Sequence, residues 1–234
     1  MRALLFTTGS PFARAVRIVL HELSLDYEKR EEITTPSVEQ RAAATPTLQV
    51  PTFWDGEHTL WESGVIAEYL MSTYEAPKNA DPPLARHAFR PGFEWNDKLC
   101  FATIQTFGNA ATTISQMKWS GVEIRDSAHL QRSAEKLDHI FHWLDARIDQ
   151  PGEGFMPGCV SMQDIFLAAH VRFVQARPLG VDLQLGKHQK LERLLNRLDE
   201  RESFRANPVW WWEPGVIGYE TDGTPRYAAG TEPD

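Results

Sequence analysis

The sequence predicts an α/β unit followed by an all-helical unit. Three observations carry this: the hydrophobic period changes at Ser10-Pro11, a hairpin pattern opens after Val50-Pro51, and a proline-rich stretch at 75–83 precedes a long region of helical periodicity. The expected boundaries are 1–76 for the first unit and 84–234 for the second, with an irregular tail from about residue 207.

Ala3 to Phe6 form a short apolar run that ends at Thr7-Thr8-Gly9 and reads as a first strand. Phe12, Val16, Val19, Leu20 and Leu23 then recur at helical spacing. Ser10 followed by Pro11 starts that helix well, because the hydroxyl accepts from a free backbone N–H and proline supplies the preset φ of the first helical position. A second strand is expected over Tyr27 to Ile33 and a short helix over Ser37 to Ala44. Thr52-Phe53-Trp54, the turn Asp55-Gly56 and Thr59-Leu60-Trp61 make a hairpin entered through proline. Glu62-Ser63-Gly64 leads into Val65, Ile66, Tyr69, Leu70 and Thr73, another helical stripe. The unit therefore reads β-α-β-α-β-β-α.

Beyond the proline-rich stretch, one long helix is expected from about Leu84 to Lys118. Leu130, Ala134, Leu137, Phe141, Leu144 and Ile148 mark a second, Ser161 to Val174 a third, and Leu191, Leu194, Leu195 and Leu198 a fourth. Ser161-x-x-Asp164 has capping-box spacing with Asp in place of Glu and is read as a helix start. The Trp-, Gly- and Pro-rich tail has no period and is expected to drape over the helical unit.

Composition narrows the function classes. The 234 residues are 42% hydrophobic and 24% charged, ordinary for a globular chain. Lys and Arg number 24 against 32 Asp and Glu, and the net charge of -8 disfavours nucleic acid and anionic membranes as partners. Cys100 and Cys159 form neither a CxxC nor a cluster, so neither a disulfide framework nor a zinc site is expected, and a reducing, cytoplasmic setting fits. No apolar run reaches membrane-spanning length. His139 and His142 stand i,i+3 beside Asp138, a spacing open to a metal but commoner among surface histidines, and no metal is expected. Cys159 reads as a packed thiol rather than a nucleophile.

Four segments, in order, resemble the cytosolic glutathione S-transferase superfamily. TPTLQVPTF is similar to the family's third-strand entry, ESGVIAEYL to its Glu/Gln-Ser turn, GCVSMQDIFLAAH to the capped helix buried in the second domain, and LDERESFRAN to the next helix and its exit. The resemblance spans about residues 1 to 207 and implies a thioredoxin-like glutathione-binding domain followed by an all-helical domain. It implies that the peptide before Pro51 is cis, that the backbone at Val50 pairs with the cysteinyl unit, that Gln49 and Pro51 belong to the same glutathione-binding set, and that Glu62 and Ser63 receive the γ-glutamyl group. Glu62 and Ser63 also suit a plain helix cap. For the glycyl carboxylate, Gln40 and Arg41 are the available side chains.

SPFARAVRI places Ser10 where the serine-type theta and zeta classes keep a catalytic serine and where omega-type enzymes have Cys-Pro-Phe. The chemistry wanted there is clear. A thiol of pKa about 8.5 is only roughly 3% thiolate at pH 7, and lowering that pKa by two units needs about 2.7 kcal/mol of preference for the anion. One hydrogen bond to the sulfur and a helix N-terminus together supply about that much. Ser10 is thus the expected catalytic hydroxyl, a role compatible with N-capping, and Thr8 is the nearest substitute.

The resemblance further implies an enzyme that transfers glutathione to a small hydrophobic electrophile, as a homodimer in detoxification. Phe12, Arg14, Phe107, Met117 and Trp119 are the expected second-substrate contacts, with core packing the competing role for the helical aromatics. The alternatives are a thiol transferase or isomerase of the same fold, and a non-catalytic regulatory binding protein. Serine at position 10 disfavours thiol transfer, which uses a protein cysteine.

Overall fold

The computed structural model describes residues 1–32, 37–77, 80–148, 153–209, 216–219 and 225–227. The chain starts with β1 (Arg2–Phe6), α1 (Pro11–Glu22), β2 (Glu28–Glu31), α2 (Val38–Ala44), β3 (Thr52–Asp55), β4 (His58–Trp61) and α3 (Ser63–Thr73). These strands form one mixed sheet in the order β2-β1-β3-β4, with β1 and β2 parallel and the other pairs antiparallel. This is a thioredoxin-like arrangement, and a helical region follows it: α4 (Glu94–Trp119), α5 (Ala128–Asp145), α6 (Met162–Gln175), α7 (Gln189–Asp199) and α8 (Glu202–Arg205).

The expected long helix from Leu84 begins only at Glu94. Pro91 and Gly92 (φ 83°) break the pattern, and Leu84 instead forms a bridge with Val160. The tail is also less irregular than expected: β5 (Val216–Tyr219) and β6 (Pro225–Tyr227) pair as an antiparallel hairpin. The end of the second expected strand at Ile33 and the tryptophans at 210–212 lie outside the described residues. Among the described residues no helix is long and apolar enough to cross a membrane.

Helix α1 joins the two layers. Its Ala13, Ala15, Val16, Ile18, Val19 and Leu20 are wholly buried, and it packs against α3 on one side and α6 on the other. Even its arginines are inside: Arg14 donates from Nε to the Asn207 carbonyl at 2.7 Å, and Arg17 stacks on Phe6. Burial, with repulsion from Arg17 added, pushes the Arg14 guanidinium down to about 10.

Helix α6 carries the deepest polar anchor. Ser161 Oγ accepts from the Asp164 N–H at 3.1 Å, while the Asp164 carboxylate accepts from the Ser161 N–H at 2.7 Å and the Phe155 N–H at 2.9 Å. The expected capping box is present, and the shorter Asp closes it.

A second tie joins the end of α1 to α8. Arg201 donates to Glu22 through Nε (2.9 Å) and Nη2 (2.6 Å), and through Nη1 to the Pro82 carbonyl. Ser203 donates to the same carboxylate. Burial alone would raise the Glu22 carboxyl, but the hydrogen bonds from Arg201 and Ser203 outweigh it and hold Glu22 below its ordinary value. A carboxyl depressed in the folded state stabilises the fold above its unfolded pKa, and that contribution is lost as pH falls through the folded value. Arg201→Ala is therefore expected to cost about 3 to 5 kcal/mol at pH 7, since it strands a largely buried carboxylate. Urea unfolding of both proteins checks this, and the difference between them should shrink as pH drops below the ordinary carboxylate range.

Candidate functional site

A groove lies between the sheet end of α1 and helix α4. Its larger cavity, about 660 Å³, is lined by Thr7, Ser10, Phe12, Arg41, Trp119 and Arg177 among others. A second of about 270 Å³ is bounded by Thr47, Gln49, Val50, Pro51, Glu62, Ser63 and Gln105. Phe12, Gln49, Val50 and Asn109 line both, so the two cavities are parts of one groove.

At the first end, Ser10 is the N-cap of α1 and its Oγ accepts from the Ala13 N–H at 3.2 Å. That bond uses an oxygen lone pair and leaves the hydroxyl proton free to donate. Pro11 has no N–H and Ala13 is capped, so Phe12 holds the first-turn N–H with no partner among the described residues. The positive end of α1 therefore opens beside the Ser10 hydroxyl. Arg177, just past α6, stacks on Phe173 and donates from Nη2 to the Gly9 carbonyl at 2.9 Å, bringing a cation to this end.

Midway, the Val50–Pro51 peptide is cis. Strand β3 starts only at Thr52, and among the described residues no hydrogen bond engages the Val50 backbone N–H or C=O. An extended peptide laid here would find both groups ready for strand-like pairing.

At the far end, Glu62 is the N-cap residue of α3 but makes no side-chain cap. Its backbone sits at φ 64° and ψ 113°, a conformation that costs a non-glycine residue about 1–3 kcal/mol. Ser63, the first residue of α3, is buried, and the helix N-terminus gives this end a preference for a carboxylate.

Ser10, Gln49, Val50, Pro51, Glu62 and Ser63 all line this one groove, with Phe12 and Trp119 on its walls. Other expectations are corrected. Phe107 is fully buried beside Phe141 in the α4–α5 core, because it points away from the groove on the opposite side of α4. Arg14 faces Asn207 and Phe204 inside the molecule rather than the cavity. Met117 is not among the lining residues, and neither is Thr8, which is buried; Thr7 lines the cavity instead. Gln40 is occupied by accepting from the Ser37 N–H, whereas Arg41 lines the cavity, paired with Glu32 and donating to the Leu48 carbonyl. Burial pushes the Glu32 carboxyl up despite the pull of Arg41.

What sequence reasoning missed is the polar face of α4. Gln105, Asn109, Thr112, Thr113 and Gln116 line the groove along its length. Their i, i+4, i+7, i+8, i+11 spacing was available as a signal, but a search for apolar stripes passes over it.

Residues 4–78 match the family model described as "Glutathione S-transferase, N-terminal domain". A curated relative, the glutathione S-transferase-like protein gedE of Aspergillus terreus, is 30% identical over 90 residues, spanning 37% of this chain and 40% of that protein. Among solved structures, a glutathione S-transferase of Methylobacillus flagellatus with glutathione bound superposes with a TM-score of 0.73 at 21% identity, covering 88% of this chain and 98% of that one. One from Methylobacterium radiotolerans in complex with glutathione sulfonate gives 0.70 at 20% identity, covering 100% and 99%. The structural matches establish a shared fold, and the family model adds a match in sequence over residues 4–78. Residues 4–78 are thus similar in sequence to a glutathione S-transferase N-terminal domain, and the chain shares the fold of the glutathione S-transferase structures.

Proposed function

We propose that the protein is a glutathione transferase of the serine type, which binds glutathione along the groove, holds its sulfur as thiolate beside Ser10, and delivers it to a small electrophile. The observation that carries this reading is the continuity of the groove: Ser10, the unpaired Val50 backbone and the Glu62–Ser63 turn line one space in that order. The γ-glutamyl group meets Ser63 and the α3 N-terminus, with Glu62 available to its ammonium. The cysteinyl unit pairs with Val50, flanked by Gln49 and Pro51, and the glycyl carboxylate lies toward Arg41. The electrophile occupies the larger cavity, with its apolar body against Phe12, Phe173 and Trp119 and its polar substituents toward Asn109 and Gln116. Its role is cytoplasmic detoxification.

The mechanism asks little movement of Ser10. Its oxygen accepts from Ala13 while its proton points to the sulfur, so capping and thiolate stabilisation coexist. The α1 N-terminus and the Arg177 guanidinium add positive potential at the same end. The electrophile takes the sulfur lone pair, forming a carbon–sulfur bond with either addition or departure of a leaving group.

A homodimer is part of this proposal. Trp61, Val65, Phe93, Trp95 and Leu99 are exposed on β4, the start of α3 and the start of α4, and Trp95 is 79% exposed. Lys98 contacts Trp95 and, with Val65 and Phe89, lines a shallow depression. An exposed apolar patch of this kind fits a second copy of the chain in an isologous contact.

Two outcomes follow. Titrating the thiolate absorbance of the glutathione complex should show the bound-thiol pKa about one to two units higher in Ser10→Ala than in wild type, with turnover down roughly 10- to 150-fold and affinity little changed. Thr8→Ala should behave as wild type, and superimposable wild-type and Ser10→Ala titrations would reduce Ser10 to a helix cap. Light scattering should give twice the 26.6 kDa chain mass for wild type and the single mass for Trp95→Glu/Leu99→Glu. A wild-type mass of one chain at micromolar concentration would remove the dimer.

A further inference from the structure

Gln105 stands on the groove face of α4, at the end lined by Glu62 and Ser63. Its amide nitrogen lies 3.2 Å from the point where a Cβ on Gly64 would sit, directly over the first turn of α3. Among the described residues, nothing accepts a hydrogen bond from that nitrogen. Its amide oxygen lies 3.4 Å from Nε2 of His170 on α6.

His170 is fully buried and reaches Gln105 only because α4 has glycine at position 108. A Cβ there would come within 2.7 Å of three imidazole ring atoms. Phe12 closes the other side, edge-on at 4.7 Å between ring centres. Nδ1 has no hydrogen-bond partner, so a proton there would be a stranded buried donor, whereas a proton on Nε2 has the Gln105 oxygen to meet. Burial keeps the ring neutral, with its pKa down to about 3, so one tautomer serves over the whole working range. With the amide oxygen taken by His170, the NH2 group is turned to the α3 end of the groove.

We propose that Gln105 is a glutathione-binding residue supplied by the helical region, donating from its amide to the α-carboxylate of the γ-glutamyl group, and that His170 is the positioning residue that fixes the amide's direction. This rests on the reading of the Glu62–Ser63 end as the γ-glutamyl site. The carboxylate then bridges the α3 N-terminus and α4, so ligand binding ties the sheet layer to the helical layer.

The test compares two ligands by calorimetry: reduced glutathione, and the analogue γ-aminobutyryl-Cys-Gly, which lacks only that carboxylate. Gln105→Ala should bind glutathione roughly 10-fold more weakly, as expected for losing one hydrogen bond to a charged group, while binding the analogue as wild type does. The pKa of the bound thiol should not move. Gln105→Glu should bind glutathione at least as weakly as Gln105→Ala, because it sets two carboxylates face to face. His170→Phe keeps a ring against Gly108 and Phe12 but has no donor. It should weaken glutathione in the same direction and add nothing in the Gln105→Ala background. Should His170→Phe fail to fold, the two-ligand comparison on Gln105→Ala decides alone. Unchanged glutathione affinity in Gln105→Ala, or an equal loss for both ligands, overturns the proposal while leaving the groove's assignment standing. A wild-type protein that binds no glutathione overturns that assignment and the proposal with it.

Discussion

Helix α1 is enclosed by protein on both sides, and only its first turn opens onto the groove. Proline at Pro11 removes one donor, Ser10 satisfies another, and the Phe12 N–H is left facing the groove. The same enclosure that buries Ala13 through Leu20 keeps the positive end of the helix in a partly desolvated setting, where its field is less screened. The site's chemistry is in this sense a by-product of how α1 is packed. A hydroxyl is needed there for folding, and the proton it does not use for capping is free for a ligand.

The rest of the structure holds α1 in place from its ends and its middle. Arg201 and Ser203 grip Glu22 at its C-terminal end, Arg14 anchors to Asn207, and Arg177 reaches back to Gly9 just ahead of Ser10. Each contact links residues more than 160 positions apart, so the groove's shape depends on the helical region being folded against the sheet.

Much of this was legible in the sequence because it is local. Ser10-Pro11, Ser161-x-x-Asp164 and the Asp55-Gly56 turn each specify backbone geometry within four residues, and the sheet, α1, the hairpin and α6 appear as read. Where the reading failed, the deciding contact was distant. Phe107 and Trp119 lie on one helix, but only the partner α5, through Phe141, determines that Phe107 faces the core. Arg14 is expected among the second-substrate contacts, yet Asn207 claims it from the far end of the chain. The expected start of the long helix at Leu84 moves to Glu94, because Pro91-Gly92 and the bridge to Val160 hold Leu84 apart. Gln105 and His170 carried no signal alone, because their meeting depends on Gly108 and on the crossing of α4 over α6.

One groove is expected to orient the whole tripeptide, with its sulfur at the capped end of α1. A crystal structure with reduced glutathione tests this most directly. The expected result is the sulfur within hydrogen-bond distance of Ser10 Oγ, the cysteinyl backbone paired with Val50, and the γ-glutamyl carboxylate at Ser63. Glutathione bound elsewhere, or in the groove with its sulfur nearer Thr7 than Ser10, would contradict it.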